Sequence, residues 1–131
     1  MTIFKPLATG VAAFALTAGI ALGAAHGGKP VVTGKLGDQI YLMDANMMTL
    51  YTFDKDGKGV SNCYDQCAAN WPPLVVDANM DLPKGFSLIT RKDGSLQIAY
   101  KGKPLYLWVN DTRPGEMTGD GVKGVWHVAR P

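Results

Sequence analysis

Downstream of residue 30 the apolar residues fall in short runs, broken by glycine, proline, asparagine and aspartate. Leu96, Ile98 and Tyr100 alternate with Gln97 and Ala99, which is the two-residue period of a strand. Runs rich in β-branched and aromatic residues predict further strands over 31–36, 39–43, 48–53, 86–90 and 105–109, and a closing strand over 122–130 through Trp126 and Val128. Gly37-Asp38, Asp44-Ala45-Asn46, Asp93-Gly94 and Lys101-Gly102-Lys103 are the turns between them. Two polar, glycine-containing loops follow at 54–59 and 110–121. One short helix is expected over 63–70, capped by Ser61 or Asn62 and stopped by Pro72-Pro73. Residues 76–85, with Asp77, Asn79, Asp81, Pro83 and Gly85, read as a linker. The fold class is mostly β.

The pattern also repeats. A shift of 55 positions lays Leu50-Tyr51-Thr52-Phe53 on Leu105-Tyr106-Leu107-Trp108. The same shift lays Asp56 on Asp111, Asp65 on Asp120 and Trp71 on Trp126, without a gap. One ungapped register over so many positions indicates a duplicated unit. The expected architecture is a small single domain over 26–131, made of two pseudo-equivalent antiparallel β units, about 38–74 and 93–129, sharing one core with one short helix near the cysteine pair.

Residues 1–25 have the form of a signal peptide: Lys5, an apolar run over 7–22, then Gly23-Ala24-Ala25 as a small-residue cleavage site. That run is shorter than the ~20 residues of a membrane span, and no second apolar stretch is long enough to be one. The remainder is close to neutral and has no basic run, which argues against a nucleic-acid partner. The expected location is periplasmic or secreted. Export to an oxidising compartment predicts a disulfide between Cys63 and Cys67. One helical turn would set their Cα atoms about 6 Å apart, within disulfide range.

Tyr51-Thr52-Phe53-Asp54-Lys55-Asp56 and Tyr106-Leu107-Trp108-Val109-Asn110-Asp111 both fit Tyr-x-aromatic-x-x-Asp. The chain thereby resembles the bacterial secreted repeat, or predicted lipoprotein, family with the Yx(FWY)xxD motif, whose function is unknown. The Cys-x-x-x-Cys-Ala-x-x-Trp-Pro-Pro segment from Cys63 to Pro73 and the stretch from Pro114-Gly115 to Trp126 add to the likeness. The resemblance implies architecture and compartment and brings no activity with it. Members are often lipoproteins, and lipidation needs a cysteine at the cleavage point. The only cysteines here are Cys63 and Cys67, so the expectation is a protein that is not lipidated.

The motif residues support two readings. Tyr51, Phe53 and Trp71, with Tyr106, Trp108 and Trp126, are expected to pack the core, the tyrosine hydroxyls finding buried partners. The functional alternative is an aromatic platform for a sugar or another planar ligand. Asp56 and Asp111 are expected as turn aspartates accepting backbone N–H groups. From Asp54 the spacing also imitates a calcium loop, with Gly59 at its sixth position and Asp65 at its twelfth, but Lys58 takes a ligand position.

Copper is the other candidate metal. Cys63 and Cys67 align with Thr118 and Val122 and so are additions to one unit. Thiolates suit Cu(I), as would thioethers from Met47 and Met48, although methionine usually fills core gaps. His26, as the mature N-terminus, would chelate Cu(II) together with His127. His127 follows Trp126 and must face away from it, toward solvent if Trp126 is core. No nucleophile motif, acid–base pair or phosphate loop stands out. The function expected is therefore an exported, non-enzymatic binding or structural protein of the cell envelope, with no resident cofactor, whose partner is an unknown envelope protein or small ligand. The alternative is a periplasmic copper-binding or electron-transfer accessory protein.

Overall fold

A computed structural model describes residues 29–77 and 80–131. The expected signal peptide and His26 lie outside the described residues. Strands β1 (Val31–Leu36) and β2 (Gln39–Asp44) form an antiparallel hairpin that closes at Leu36↔Gln39. Gly37 takes the left-handed conformation this turn needs, with φ 61°. Asp44 then makes the next turn itself: its Oδ1 accepts the N–H groups of Asn46 (2.9 Å) and Met48 (3.0 Å). After it come β3 (Tyr51–Phe53), helix α1 (Gln66–Asn70), β4 (Val75–Val76), β5 (Phe86–Thr90), β6 (Leu96–Tyr100), β7 (Lys103–Pro104), a 3-10 turn over Val122–Gly124, and β8 (Trp126–Val128). Among the described residues the fold is mostly β with a single short α-helix beside the Cys63–Cys67 disulfide and duplicated antiparallel units, as expected.

The differences from the expected elements have local causes. The helix begins at Gln66, because Asp65 before it has φ 55°, and no side chain caps it. Ser61 and Asn62 are committed elsewhere: the Asn62 side-chain amide donates to the Lys55 carbonyl (2.8 Å), and Ser61 lies in a buried network described below. Residues 105–109 do not form a regular strand. Tyr106 bridges to both Tyr51 and Pro73, but Pro72 and Pro73 have no N–H to give, so the ladder cannot extend along them. In the closing segment Gly121 (φ 84°) and Lys123 (φ 53°) break the extended chain, and β8 starts only at Trp126.

The two units are interwoven. Closing strand β8 of the second unit pairs with β3 of the first, and the Ala129 N–H reaches the Leu50 carbonyl (2.8 Å). In return β4 of the first unit pairs with β6 of the second, and the Leu74 N–H reaches the Leu105 carbonyl (3.0 Å). Each unit thus lends its last strand to the other. Between them the Tyr51 N–H donates to the Tyr106 carbonyl (2.8 Å) and the Tyr106 N–H to the Tyr51 carbonyl (3.0 Å), marking a local two-fold relation.

Strand alternation splits the core in two. Tyr41, Met43 and Tyr51 face a cluster with Cys63, Trp71, Tyr106, Trp126 and Val128. Leu42 and Leu50, their neighbours in sequence, face another with Val31, Ile98, Leu105 and Ala129. Because the strands are exchanged, neither unit keeps a complete core alone. Fragments 29–77 and 80–131, prepared separately, should each lack a cooperative thermal transition by circular dichroism and regain one on mixing. A cooperative transition in either fragment alone would contradict the exchange as a folding requirement.

Candidate functional site

The shared motif acts across the two units. The Tyr51 hydroxyl, at the start of β3, donates to Oδ2 of Asp111 (2.6 Å). The Tyr106 hydroxyl donates to Oδ2 of Asp56 (2.7 Å). Each tyrosine is therefore satisfied by the aspartate of the other copy. Asp111 Oδ1 also accepts the Thr118 N–H (2.9 Å) and hydroxyl (2.6 Å), and the Gly119 N–H points at the Tyr51 oxygen (3.2 Å). Both tyrosines are 0% exposed. Burial, reinforced by the neighbouring carboxylates, pushes both phenols well above the ordinary tyrosine range. Burial also raises the Asp56 carboxyl, against its bonds from Asn62 and Tyr106.

The aromatic residues of the two copies stack alternately. Phe53 lies on Trp126 (4.2 Å between ring centroids), Trp126 on Trp71 (3.8 Å), and Trp71 on Trp108 (3.9 Å). Tyr51 meets Trp71 edge-on and Tyr106 meets Trp126 edge-on, both at 5.3 Å. The inner tryptophans are buried, while Phe53 and Trp108 at the two ends are half-buried. The stack leaves no room at Gly119, where a Cβ would lie 2.7 Å from Trp71 Cη2 and 3.0 Å from Trp108 Cδ1.

Arg91 and Gln97 are buried here and carried no sequence signal. The Arg91 guanidinium donates to Ser61 Oγ (2.9 Å), Gln97 Oε1 (2.8 Å) and the Cys63 carbonyl (2.7 Å), and lies over the Tyr64 ring. Ser61 in turn bonds the Tyr106 hydroxyl (2.6 Å). Arg91, Ser61, Tyr106 and Asp56 thus form a chain from a buried cation to a carboxylate. The disulfide, with Cα atoms 5.2 Å apart, shapes the loop that presents Ser61 and the Cys63 carbonyl.

A concavity borders this framework at Asp56. A cleft of about 490 Å³ runs between the 53–58 loop of the first unit and the 101–104 turn of the second. Thr52, Asp54 and Lys103 are shared with an adjoining hollow of about 220 Å³ that contains His127 and Arg130. His127 is exposed and Trp126 buried, as strand alternation requires. His127 Nε2 lies 2.7 Å from Asp54 Oδ2. Met47 is 54% exposed in the turn before β3, and neither it nor Met48 lines the hollow holding His127. In the calcium-like loop both oxygens of Asp56 are engaged by Asn62 and Tyr106, and Asp54 faces His127. Among the described residues no three His, Cys, Asp or Glu side chains gather as a metal site would need.

The chain matches the Lipoprotein_15 family, described as a secreted repeat of unknown function, over residues 30–75 and 87–130. It belongs to that family and is a secreted or periplasmic protein of unknown function. No curated protein and no solved structure matches it significantly. The family name corrects one expectation: it points to lipidation, against a protein that is not lipidated. That expectation rested on the positions of Cys63 and Cys67 alone, which bear on a single chemistry of attachment. Among the described residues no helix is long and apolar enough to cross a membrane.

The folded protein holds the Tyr51 and Tyr106 protons more tightly than the unfolded chain does. The stabilisation is complete below the ordinary tyrosine pKa and declines as pH rises above about 10, by about 1.4 kcal/mol per pH unit for each tyrosine. Urea unfolding across that range should show this decline, and Tyr51→Phe should remove one tyrosine's share of the slope. Gly119→Ala, forced against two tryptophan rings, should cost about 1–3 kcal/mol, read from the same unfolding curves.

Proposed function

We propose that this secreted protein is a non-enzymatic binding module of the cell envelope, and that its ligand lies in the cleft between the 53–58 loop and the 101–104 turn. What supports the reading is how the polar groups are distributed. The tyrosines, tryptophans and aspartates of the motif are largely consumed inside the fold: Tyr51 and Tyr106 bond Asp111 and Asp56, and Trp71 stacks on Trp126. They are scaffold. The cleft draws on both units and falls within the roughly 300–1,000 Å³ common for ligand sites. Its lysines, Lys58, Lys101 and Lys103, form no ion pair, the ion pairs among the described residues being Arg113 with Glu116 and His127 with Asp54. Half-buried Phe53 adds an aromatic surface at the cleft wall.

The test is a titration of isotope-labelled protein with fractionated envelope extract, followed by amide NMR shifts. Binding should move the resonances of Thr52, Gly57, Lys101 and Gly102 together. Shifts confined to another face, or none at all, would overturn the assignment.

A further inference from the structure

Lys58, Lys101 and Lys103 line the main cleft, and Lys103 continues with Arg130 into the adjoining hollow. The two acids in the same walls are already engaged: Asp54 with His127, and Asp56 with Tyr106 and the Asn62 amide. Three lysines and Arg130 outnumber these two acids, so the joined walls carry an excess of positive charge. The surface is also pre-arranged. The turn carrying Lys101 and Lys103 is held on both sides, by the Lys101 N–H on the Gly85 carbonyl and the Gly59 N–H on the Gly102 carbonyl, each at 2.7 Å. The Lys58 stem lies across Gly102, where a Cβ would meet its Cγ at 2.7 Å, and Gly102 has φ 81°. Glycine there lets Lys58 approach the two turn lysines.

The fold itself does not require this charge. The 55-residue register places Asn46, Met47 and Met48 where the second unit has Lys101, Gly102 and Lys103. The equivalent turn in the first unit therefore forms without lysine, and with Met47 in the left-handed conformation at φ 65°. Lysines that the scaffold does not need, gathered at a concavity whose two acids bond other groups, are suited to an anion. The cations extend over two joined hollows, so the anion that fits is one that repeats along a chain. Phe53 in the cleft and Tyr100 in the hollow offer aromatic surface of the kind that packs against the apolar face of a sugar ring.

We infer that the cleft takes an acidic saccharide polymer, with its carboxylate or phosphate groups set against Lys58, Lys101, Lys103 and Arg130 and a sugar ring against Phe53. This rests on the binding reading given above. The shared chemistry is a hydroxylated chain bearing regular negative charge, supplied either by uronate or by phosphate-linked units.

The experiment is calorimetry on the exported chain with three probes: polygalacturonate oligomers, a glycerol-phosphate polymer and neutral dextran. At least one anionic probe should bind while dextran does not, and the affinity should fall with added salt. Whichever anionic probe binds identifies the charge. Lys101→Gln combined with Lys103→Gln should weaken binding by about tenfold while leaving the melting temperature unchanged. Anionic probes that bind no better than dextran, or binding that the double variant leaves intact, would overturn the inference. In that event the envelope-extract titration still decides independently whether the cleft binds anything.

Discussion

The exchange of hydrogen bonds between Tyr51 and Asp111 and between Tyr106 and Asp56 is the constraint from which most of the structure follows. A phenol fully removed from water needs a partner, and leaving one unpaired costs about 1–3 kcal/mol. Here the partner is an acid from the other copy of the motif, so satisfying either tyrosine brings the two copies together. The backbones meet at the same residues through two further bonds, and each unit's closing strand then crosses to complete its neighbour's sheet. A tyrosine and an aspartate five positions apart thereby serve as a device for joining repeats.

The aromatic stack follows from that joining. Trp71 and Trp126 lie parallel, 3.8 Å apart, with Phe53 and Trp108 outside them, so that rings of the first and second units alternate along the column. The stack demands close approach from the 110–121 loop, and Gly119 permits it while giving its N–H to Tyr51. On the other side the first unit differs. Its loop carries the disulfide, and it positions Ser61 and the Cys63 carbonyl around buried Arg91. A buried guanidinium that pairs directly with no acid among the described residues is costly. The route through Ser61 and Tyr106 to Asp56 compensates it and couples the disulfide loop to β5 and β6.

Scaffold and surface are thus divided by position. The motif tyrosines and aspartates bond to one another, and Trp71 and Trp126 stack inside the fold. To Phe53 and Asp56 of the motif the cleft adds three lysines, of which Lys101 and Lys103 have Asn46 and Met48 as their counterparts. A duplicated fold can in this way keep its core nearly symmetric while presenting different surfaces at its two equivalent turns, lysine-rich at 101–103 and methionine-containing at 46–48.

Local patterns sufficed for the class of fold, the duplication, the disulfide, the buried tryptophans and the exposed His127, because each depends on strand alternation, an internal register or the compartment. The span 48–53 shortened to 51–53, and 105–109 lost its regular strand, since a ladder depends on what a distant neighbour such as Pro72-Pro73 can donate. The motif aspartates were legible as acceptors in turns, but not as partners of the opposite tyrosine 60 or 50 residues away. Arg91, Gln97 and Gly119 were invisible as site residues, because a single arginine, glutamine or glycine carries no pattern until packing removes it from water. Sequence periodicity reports which side of a strand a residue faces. Which strand lies across from it, and therefore whose hydroxyl meets whose carboxylate, exists only once the two repeats have exchanged their ends.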